Sequence, residues 1–328
     1  MTKYQAVGIG NAVVDVISQC DDGFLSRMGI EKGIMQLVEQ DRGEVLYENM
    51  ENRTQMAGGS VANTIAGLGA LGLSTAFIGR VSDDGPGRDY VREMGDVGTD
   101  FVNSPVIGGE LPTSRSMIFV TPDGERSMNT YLGISTELGP DDVDDTVPGG
   151  AELLFLEGYL YDKPQGKAAF QAAARACRAG GGKAGISLSD PFCVERHRDD
   201  FRALARELDY VIGNEHEWKS LFQTEDLGAA LEQAAQESGL IVCTRSGEDV
   251  VIVEGDETAR VPVDAVTPVD TTGAGDQFAA GFIYGMATGQ TLEVSGRMGC
   301  IAAAEVISHY GARPERDVKA LFAAAGLV

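Results

Sequence analysis

The sharpest chemical signal in the sequence is Asp270-Thr271-Thr272-Gly273-Ala274-Gly275-Asp276, which runs straight into an apolar stretch with helical spacing. Gly273 and Gly275 let the backbone turn so that several N–H groups point one way. A helix N-terminus with free amides is an anion site. Phosphoryl transfer needs such a site, because charge spreads over the γ-phosphoryl oxygens in the transition state. Asp276 stands beside it and could accept the proton of an attacking hydroxyl. Asp and Thr before a helix are also ordinary caps, so this segment alone fits a base or a cap.

Four further segments carry polar groups at useful spacings. Ala57-Gly58-Gly59-Ser60-Val61-Ala62-Asn63 puts a glycine pair before another helix, with Asn63 one turn on. Its amide can donate and accept toward a polyol. Asn11-x-x-x-Asp15 follows the first apolar run, and a carboxylate there suits a vicinal diol. Asn214-Glu215-His216-Glu217 ends a strand, with Asn214 and Glu217 spaced to face one site. Glu217 could hold Mg²⁺ through water, since that ion usually keeps several water ligands. Thr244-Arg245-Ser246-Gly247 closes a late strand and could line a nucleotide. Taken singly, each is equally a turn, a cap or a solvated polar residue.

The elements around these segments alternate. Strand-like runs at Ala6–Ile9, Thr75–Gly79, Leu153–Glu157, Ala184–Leu188, Tyr210–Ile212 and Leu240–Thr244 are separated by helical patterns. This predicts a mostly parallel sheet covered by helices, with ligands at the carboxyl ends of the strands. Val250–Val253 and Ala259–Val263 read as a hairpin. A second group of extended pieces lies in residues 11–50 and 101–131, where Thr121-Pro122-Asp123-Gly124 is a turn between Ser116–Val120 and Arg126–Tyr131. These predict a small β lid over a larger domain of residues 1–10, 51–100 and 132–328. Two phosphate-binding fingerprints are absent. Val13 stands where Gly8-x-Gly10 would need its third glycine, and Ala184 follows Gly182-Lys183.

Composition narrows the partners. Of 328 residues 50 are acidic and 26 basic, a formal net charge of −24. That argues against nucleic acid and against anionic membrane surfaces as partners. The 43 glycines, roughly twice the usual share, cluster at the ends of apolar runs without a collagen period. Five widely spaced cysteines with no CxxC pair read as reduced thiols of a cytoplasmic protein. No leader pattern and no membrane-length apolar run is present. The lid leaves an open strand edge, so the chain is expected to be a monomer or a homodimer through the lid.

Together these segments resemble the ribokinase-like family, the PfkB carbohydrate kinases, over nearly the whole chain and in the expected order. Gly58-Gly59 looks like its N-terminal signature, Asp270 to Asp276 like its C-terminal one, and Asn214 with Glu217 like its Mg²⁺/phosphate motif. The resemblance implies a three-layer α/β/α domain with a small β-sheet lid, and a kinase using ATP and Mg²⁺ on a small-molecule hydroxyl. It makes Asp276 the base and the amides of Gly273, Ala274 and Gly275 the anion hole. Asn11, Asp15, Gly58, Gly59 and Asn63 would hold the acceptor, with Arg126 near the transferred phosphate. Asn214, Thr244 and Gly247 would lie along ATP. Tyr310-Gly311-Ala312-Arg313-Pro314, with Asp270, resembles a loop that holds a monovalent cation such as K⁺ in many members. The Asn11/Asp15 spacing and Ser60 after the glycine pair look most like the adenosine kinase branch, with Met35, Leu37 and Phe119 as a slot for the base. Another nucleoside, a free sugar such as ribose or fructose, or a nucleotide- or sugar-binding sensor that has lost catalysis stays open.

Overall fold

Residues split two ways along the central strands. Ala6, Leu153, Phe155, Tyr210, Ile212, Leu240 and Val242 enter one hydrophobic core, and Val7, Leu154, Leu156, Val211, Ile241 and Cys243 enter another. Side chains alternate across a strand with period two, so these strands are apolar on both faces and must be covered on both. In the computed structural model, which describes residues 3–328, they form a nine-stranded sheet. Its order is β14 (Glu257–Val261), β13 (Glu248–Glu254), β12 (Leu240–Arg245), β11 (Tyr210–Asn214), β10 (Lys183–Ser187), β9 (Ala151–Glu157), β1 (Tyr4–Ile9), β5 (Thr75–Ile78), β6 (Thr99–Phe101). The seven strands from β12 to β6 are parallel, and β13 and β14 close one edge as an antiparallel hairpin.

One face carries the helices Ser60–Ala70, Ala274–Ala287 and Leu292–Val306. The other carries Pro164–Ala179, Arg198–Glu207, Glu215–Phe222 and Leu227–Glu237. The result is the expected three-layer α/β/α arrangement.

A second sheet of five strands has the order β3 (Met35–Leu37), β8 (Arg126–Tyr131), β7 (Ser114–Val120), β2 (Val13–Gln19), β4 (Thr54–Gly58). The turn at Thr121–Gly124 joins β7 to β8, with the Gly124 amide donating to the Thr121 carbonyl at 2.8 Å. The boundaries drawn from sequence shift here. β4 lies in a stretch assigned to the larger domain, yet it pairs antiparallel with β2. Phe101, assigned to the lid, ends β6 in the large sheet. Thr54-Gln55-Met56 is too polar and too short to read as a strand alone; pairing with β2 makes it one. The lid's inner side chains, Val14, Val16, Met117 and Phe119, continue the first core, so the two sheets share packing.

The helix that Asp276 begins is held by close helix–helix contact. A Cβ on Gly281 would stand 2.5 Å from the Met298 carbonyl oxygen, and one on Gly285 2.4 Å from Ser295 Oγ. Gly281→Val should therefore force Ala274–Ala287 and Leu292–Val306 apart at an overpacking cost of about 1–3 kcal/mol. The expected outcome is a melting temperature lower by a few degrees in a thermal unfolding scan; an unchanged midpoint would show that the two helices accommodate the side chain.

Candidate active site

A cavity of about 820 Å³ opens between the lid sheet and the carboxyl ends of the parallel strands. That lies in the range of small-molecule sites. Its walls come from both sheets: Asn11, Val13 and Asp15 where β1 passes into the lid, Gly59 to Thr64 of the Ser60 helix, Thr271 to Asp276, and Asn214, Glu217 and Thr244 at the ends of β11 and β12. These five segments, far apart in sequence, are thus brought to one space.

Asp276 lies half-buried in the first turn of Ala274–Ala287. Ser60 Oγ donates to its Oδ1 at 2.7 Å and Asn63 Nδ2 to its Oδ2 at 3.1 Å. Loss of water pushes its carboxyl up to about 6, against the pull of these two donors. Gly273, at φ +76, is the N-cap, and no side chain among the described residues caps the helix. A Cβ there would meet Ala312 Cα at 2.7 Å, so the turn demands glycine twice over. Of the three expected anion-hole amides, that of Ala274 already donates to the Thr271 carbonyl at 3.2 Å. It is therefore the weakest of the three as a free donor.

The lid side of the cavity is built on Gly59. At φ +100, with an added Cβ only 2.2 Å from the Asn11 carbonyl, Gly59 lets the Ser60 helix start against the end of β1. Gly58 does not reach the cavity; its missing side chain makes room for the Asp15 carboxylate, 2.3 Å from where a Cβ would stand. Desolvation pushes Asp15 up to about 7, opposed by the cations Arg313 and Arg126.

Glu157, the last residue of β9, was not singled out from sequence, although a carboxylate ending the buried run Leu153–Leu156 was a usable signal. It is 1% exposed. Its Oε1 accepts from the Asn11 amide at 3.1 Å and from Asn11 Nδ2 at 2.7 Å, and its Oε2 from the Val61 amide at 3.0 Å. Ser135 Oγ donates to Asn11 Oδ1 at 2.9 Å. One carboxylate thus ties the entry to the lid to the N-terminus of the Ser60 helix, whose Ser60 and Asn63 meet Asp276. Burial pushes it up to about 7 despite those donors.

Several sequence expectations change. Arg126 does not line the cavity. Its Nη2 stands 2.5 Å from Asp270 Oδ2, and both side chains are buried. Asp270 also accepts from the Gly311 amide at 2.8 Å through Oδ2, and from the Thr272 amide and hydroxyl at 3.0 and 2.8 Å through Oδ1. Its carboxylate is neutralised by a guanidinium and does not fit a side-chain ligand to K⁺. Asn63 is 4% exposed and its amide is spent on Asp276 and on Arg313 Nε, at 3.4 Å. Gly247 lies in the exposed turn between β12 and β13, away from the cavity wall. Phe119 is fully buried against Phe24 on the lid's other face, with ring centroids 5.3 Å apart, and offers no slot. Met35 and Leu37 do line the cavity, joined by Ile34, Met128, Tyr159 and Phe192.

Asn214 and Glu217 form a reciprocal cap. The Asn214 side chain accepts from the His216 and Glu217 amides, and both Glu217 oxygens accept from Asn214 at 2.7 Å. Glu217 is 4% exposed yet reaches the cavity wall, with its carboxyl pushed up to about 7 by burial. Each oxygen keeps a lone pair. Among the described residues no cluster of three or more His, Cys, Asp or Glu could cage a metal. One lone carboxylate fits Mg²⁺ held chiefly by phosphates and water, as is usual for that ion.

An uncapped glycine-rich helix start beside a half-buried carboxylate, reached from under a lid at the carboxyl ends of parallel strands, defines a small-molecule kinase. The chain belongs to the pfkB family of carbohydrate kinases, whose pattern it matches over residues 33–318. It is similar to a solved probable sugar kinase from Rhizobium etli CFN 42, with 42% identity, 100% of both chains covered and a TM-score of 0.93. It is also similar to a solved adenosine kinase from Sinorhizobium meliloti, with 44% identity, 98% and 99% covered and a TM-score of 0.91. An uncharacterised sugar kinase from Archaeoglobus fulgidus is 32% identical across 75% of this chain and 96% of its own. Kinases of this family use ATP and Mg²⁺. No helix among the described residues is long and apolar enough to cross a membrane.

Four cavity carboxyls, Asp15, Glu157, Glu217 and Asp276, hold a proton more tightly in the folded than in the unfolded chain. Between the ordinary carboxylate range and about pH 7 the folded chain binds more protons, so stability falls as pH rises through that window. The ligand-free protein should melt at a higher temperature at pH 6 than at pH 8. Asp15→Asn, which removes one of the four titrations, should flatten the dependence. A midpoint that rises from pH 6 to pH 8 would contradict these environments.

Proposed function

We propose that the protein transfers the γ-phosphoryl group of ATP to the 5′-hydroxyl of adenosine, giving AMP and ADP. The observation that carries the acceptor is an exposed apolar wall beside the polar pocket. Ile34, Met35 and Leu37 on the lid and Phe192 opposite are 39, 47, 56 and 70% exposed, and all four line the cavity. Leaving such side chains in water is costly. A flat aromatic base would cover them, whereas a free sugar would not. The likeness to the Sinorhizobium meliloti adenosine kinase supports the same reading.

In this reading Asp15 accepts ribose hydroxyls, with Asn11 and the Gly59 backbone beside it, and the 5′-oxygen is directed at Asp276. The 5′-oxygen forms its bond to Pγ while the bond from Pγ to the ADP oxygen breaks, and the hydroxyl proton passes to an Asp276 oxygen. Ser60 and Asn63 aim that carboxylate. The free amides of Gly273 and Gly275 face the oxygens where charge gathers. Glu217 would help hold Mg²⁺ brought in on the phosphates, and the ion would supply positive charge to the triphosphate. Thr244 and Asn214 line the nucleotide's side of the cavity.

The relative named as a probable sugar kinase keeps a second reading in view, with ribose or fructose as acceptor. ADP release measured with Mg²⁺-ATP against adenosine, other nucleosides, ribose and fructose decides between them. Adenosine should have the highest kcat/KM, and preference for a free sugar would overturn the base slot. Asp15→Ala should raise the acceptor KM at least tenfold and leave the ATP KM within about twofold. Damage confined to ATP would misplace the acceptor pocket.

Asp276→Asn should lower kcat by about 10³-fold or more, since both proton acceptance and the geometry of the oxygen are lost. ATP binding, read by calorimetry, should persist. Near-normal turnover in this variant would remove Asp276 as the base.

A further inference from the structure

Strand register sets the lid's cavity face out in rows. In one row Asp15 of β2 stands beside Ser116 of β7, Ser116 beside Thr130 of β8, and Thr130 beside Leu37 of β3. All four line the cavity. Two residues along each strand, on the same face, the next row is Ile17, Ile118, Met128 and Met35. Every member of that row is apolar. The face is therefore acidic at one corner and apolar over the rest, with two hydroxyls between.

Those two hydroxyls are short of a partner. Ser116 and Thr130 are both buried, and Ser116 Oγ stands 2.8 Å from Thr130 Oγ1. Neither hydroxyl has another partner among the described residues. Each carries one hydrogen. Either oxygen can be the donor of the bond between them, and that bond uses one hydrogen of the two. One O–H is left over whichever way the pair is arranged. Leaving it unpaired in a buried place is costly, and the cavity that both residues line is where a partner can reach it.

We propose that the Ser116–Thr130 hydroxyl pair is a specificity subsite that donates its spare hydrogen to a ring nitrogen of the acceptor's purine base.

The spacing of the row places the base there. Neighbouring strands lie about 4.8 Å apart, so the row from Asp15 to Leu37 spans roughly 14 Å. A pentose held at Asp15 covers little more than the first step. A nucleoside laid along the row carries its base past Ser116 and over Thr130 and Leu37. The faces of a purine are apolar and suit Leu37, Met35 and Met128. Its edge is not apolar: each free ring nitrogen presents a lone pair and no hydrogen. Such an atom only accepts, which is the match for a spare O–H. A few placed polar groups in an apolar wall are what fix a ligand's orientation. A site built to hydrogen-bond one atom also rejects an analogue that lacks it.

This inference rests on the proposed nucleoside acceptor, and the substrates are chosen to keep the two apart. The full chain is assayed with Mg²⁺-ATP on adenosine, on its 1-deaza, 3-deaza and 7-deaza analogues, and on ribose and fructose. Each deaza analogue replaces one ring nitrogen by C–H. Wild-type kcat/KM should fall on one of the three by roughly three- to tenfold, the size of one neutral hydrogen bond. The fall should appear mainly in KM. Ser116→Ala combined with Thr130→Val removes both hydroxyls and keeps both shapes, a kind of change that is nearly neutral for folding. It should lower kcat/KM on adenosine by the same factor, leave the ATP KM within about twofold, and cost nothing further on that one analogue. A merely structural role would lower adenosine and all three analogues alike, and that result overturns the proposal. Thr130→Ser keeps the hydroxyl and should match the wild type; a loss there would assign the effect to packing. Should the double variant fail to fold, the wild-type comparison still decides, because equal kcat/KM on adenosine and all three analogues sinks the subsite alone. Turnover of a free sugar without turnover of adenosine would sink the nucleoside reading and the subsite with it.

Discussion

Asp276 is partly stripped of water and still keeps its place on the cavity wall, and most of the site is arranged around that conflict. A carboxylate in such a place is costly unless donors meet it. Ser60 and Asn63 meet it, and both sit on a helix that begins in a different part of the chain. The Ser60 helix can reach Asp276 only because Gly59 lets it start against the end of β1, and because Glu157 takes up the Val61 amide at its tip. Thr64 adds a bond from its hydroxyl to the Asp276 carbonyl at 3.0 Å. The setting of Asp276 is therefore a property of two helix N-termini docked on each other.

The same logic explains where the positive charge lies in a chain with a formal net charge of −24. Arg126 is buried near the cavity and Arg313 half-buried behind it. Arg126 comes from the lid and Asp270 from the loop that starts the Asp276 helix, so their ion pair joins the two parts of the molecule beside the anion site. Replacing a buried pair by apolar groups is often neutral or even stabilising, which makes geometry the better reason for this one. It pins the lid's β8 over the glycine-rich turn.

The lid contributes chemistry and cover together. Asp15 and Val13 come from β2, and Met35, Leu37 and Met128 from β3 and β8, so polar and apolar parts of the cavity wall share one small sheet. Its other face packs into the first core through Phe119, Met117 and Val16. A strand has two faces, and here one faces the cavity while the other faces the core.

The central α/β pattern was legible in the sequence because a strand buried on both faces is an uninterrupted apolar run, and the runs alternate with helical spacing. Gly59, Gly273 and Asp276 were legible as well, since backbone that turns sharply before a helix demands glycine wherever it occurs. Other features were out of reach because they depend on residues far apart in the chain. Thr54–Gly58 is a strand only by pairing with β2. Phe119 lies on the wrong face of β7 for a ligand, and a hydrophobic residue in a short strand does not announce its face without its neighbours. Asp270 looked like a free carboxylate until Arg126, from the opposite sheet, was brought beside it. Glu157 and Asn63 gain their partners from residues 146 and 213 positions away. Local spacing determined which residues could do chemistry; long-range packing decided which donor meets which acceptor, because a hydrogen bond is made in space and not along the chain.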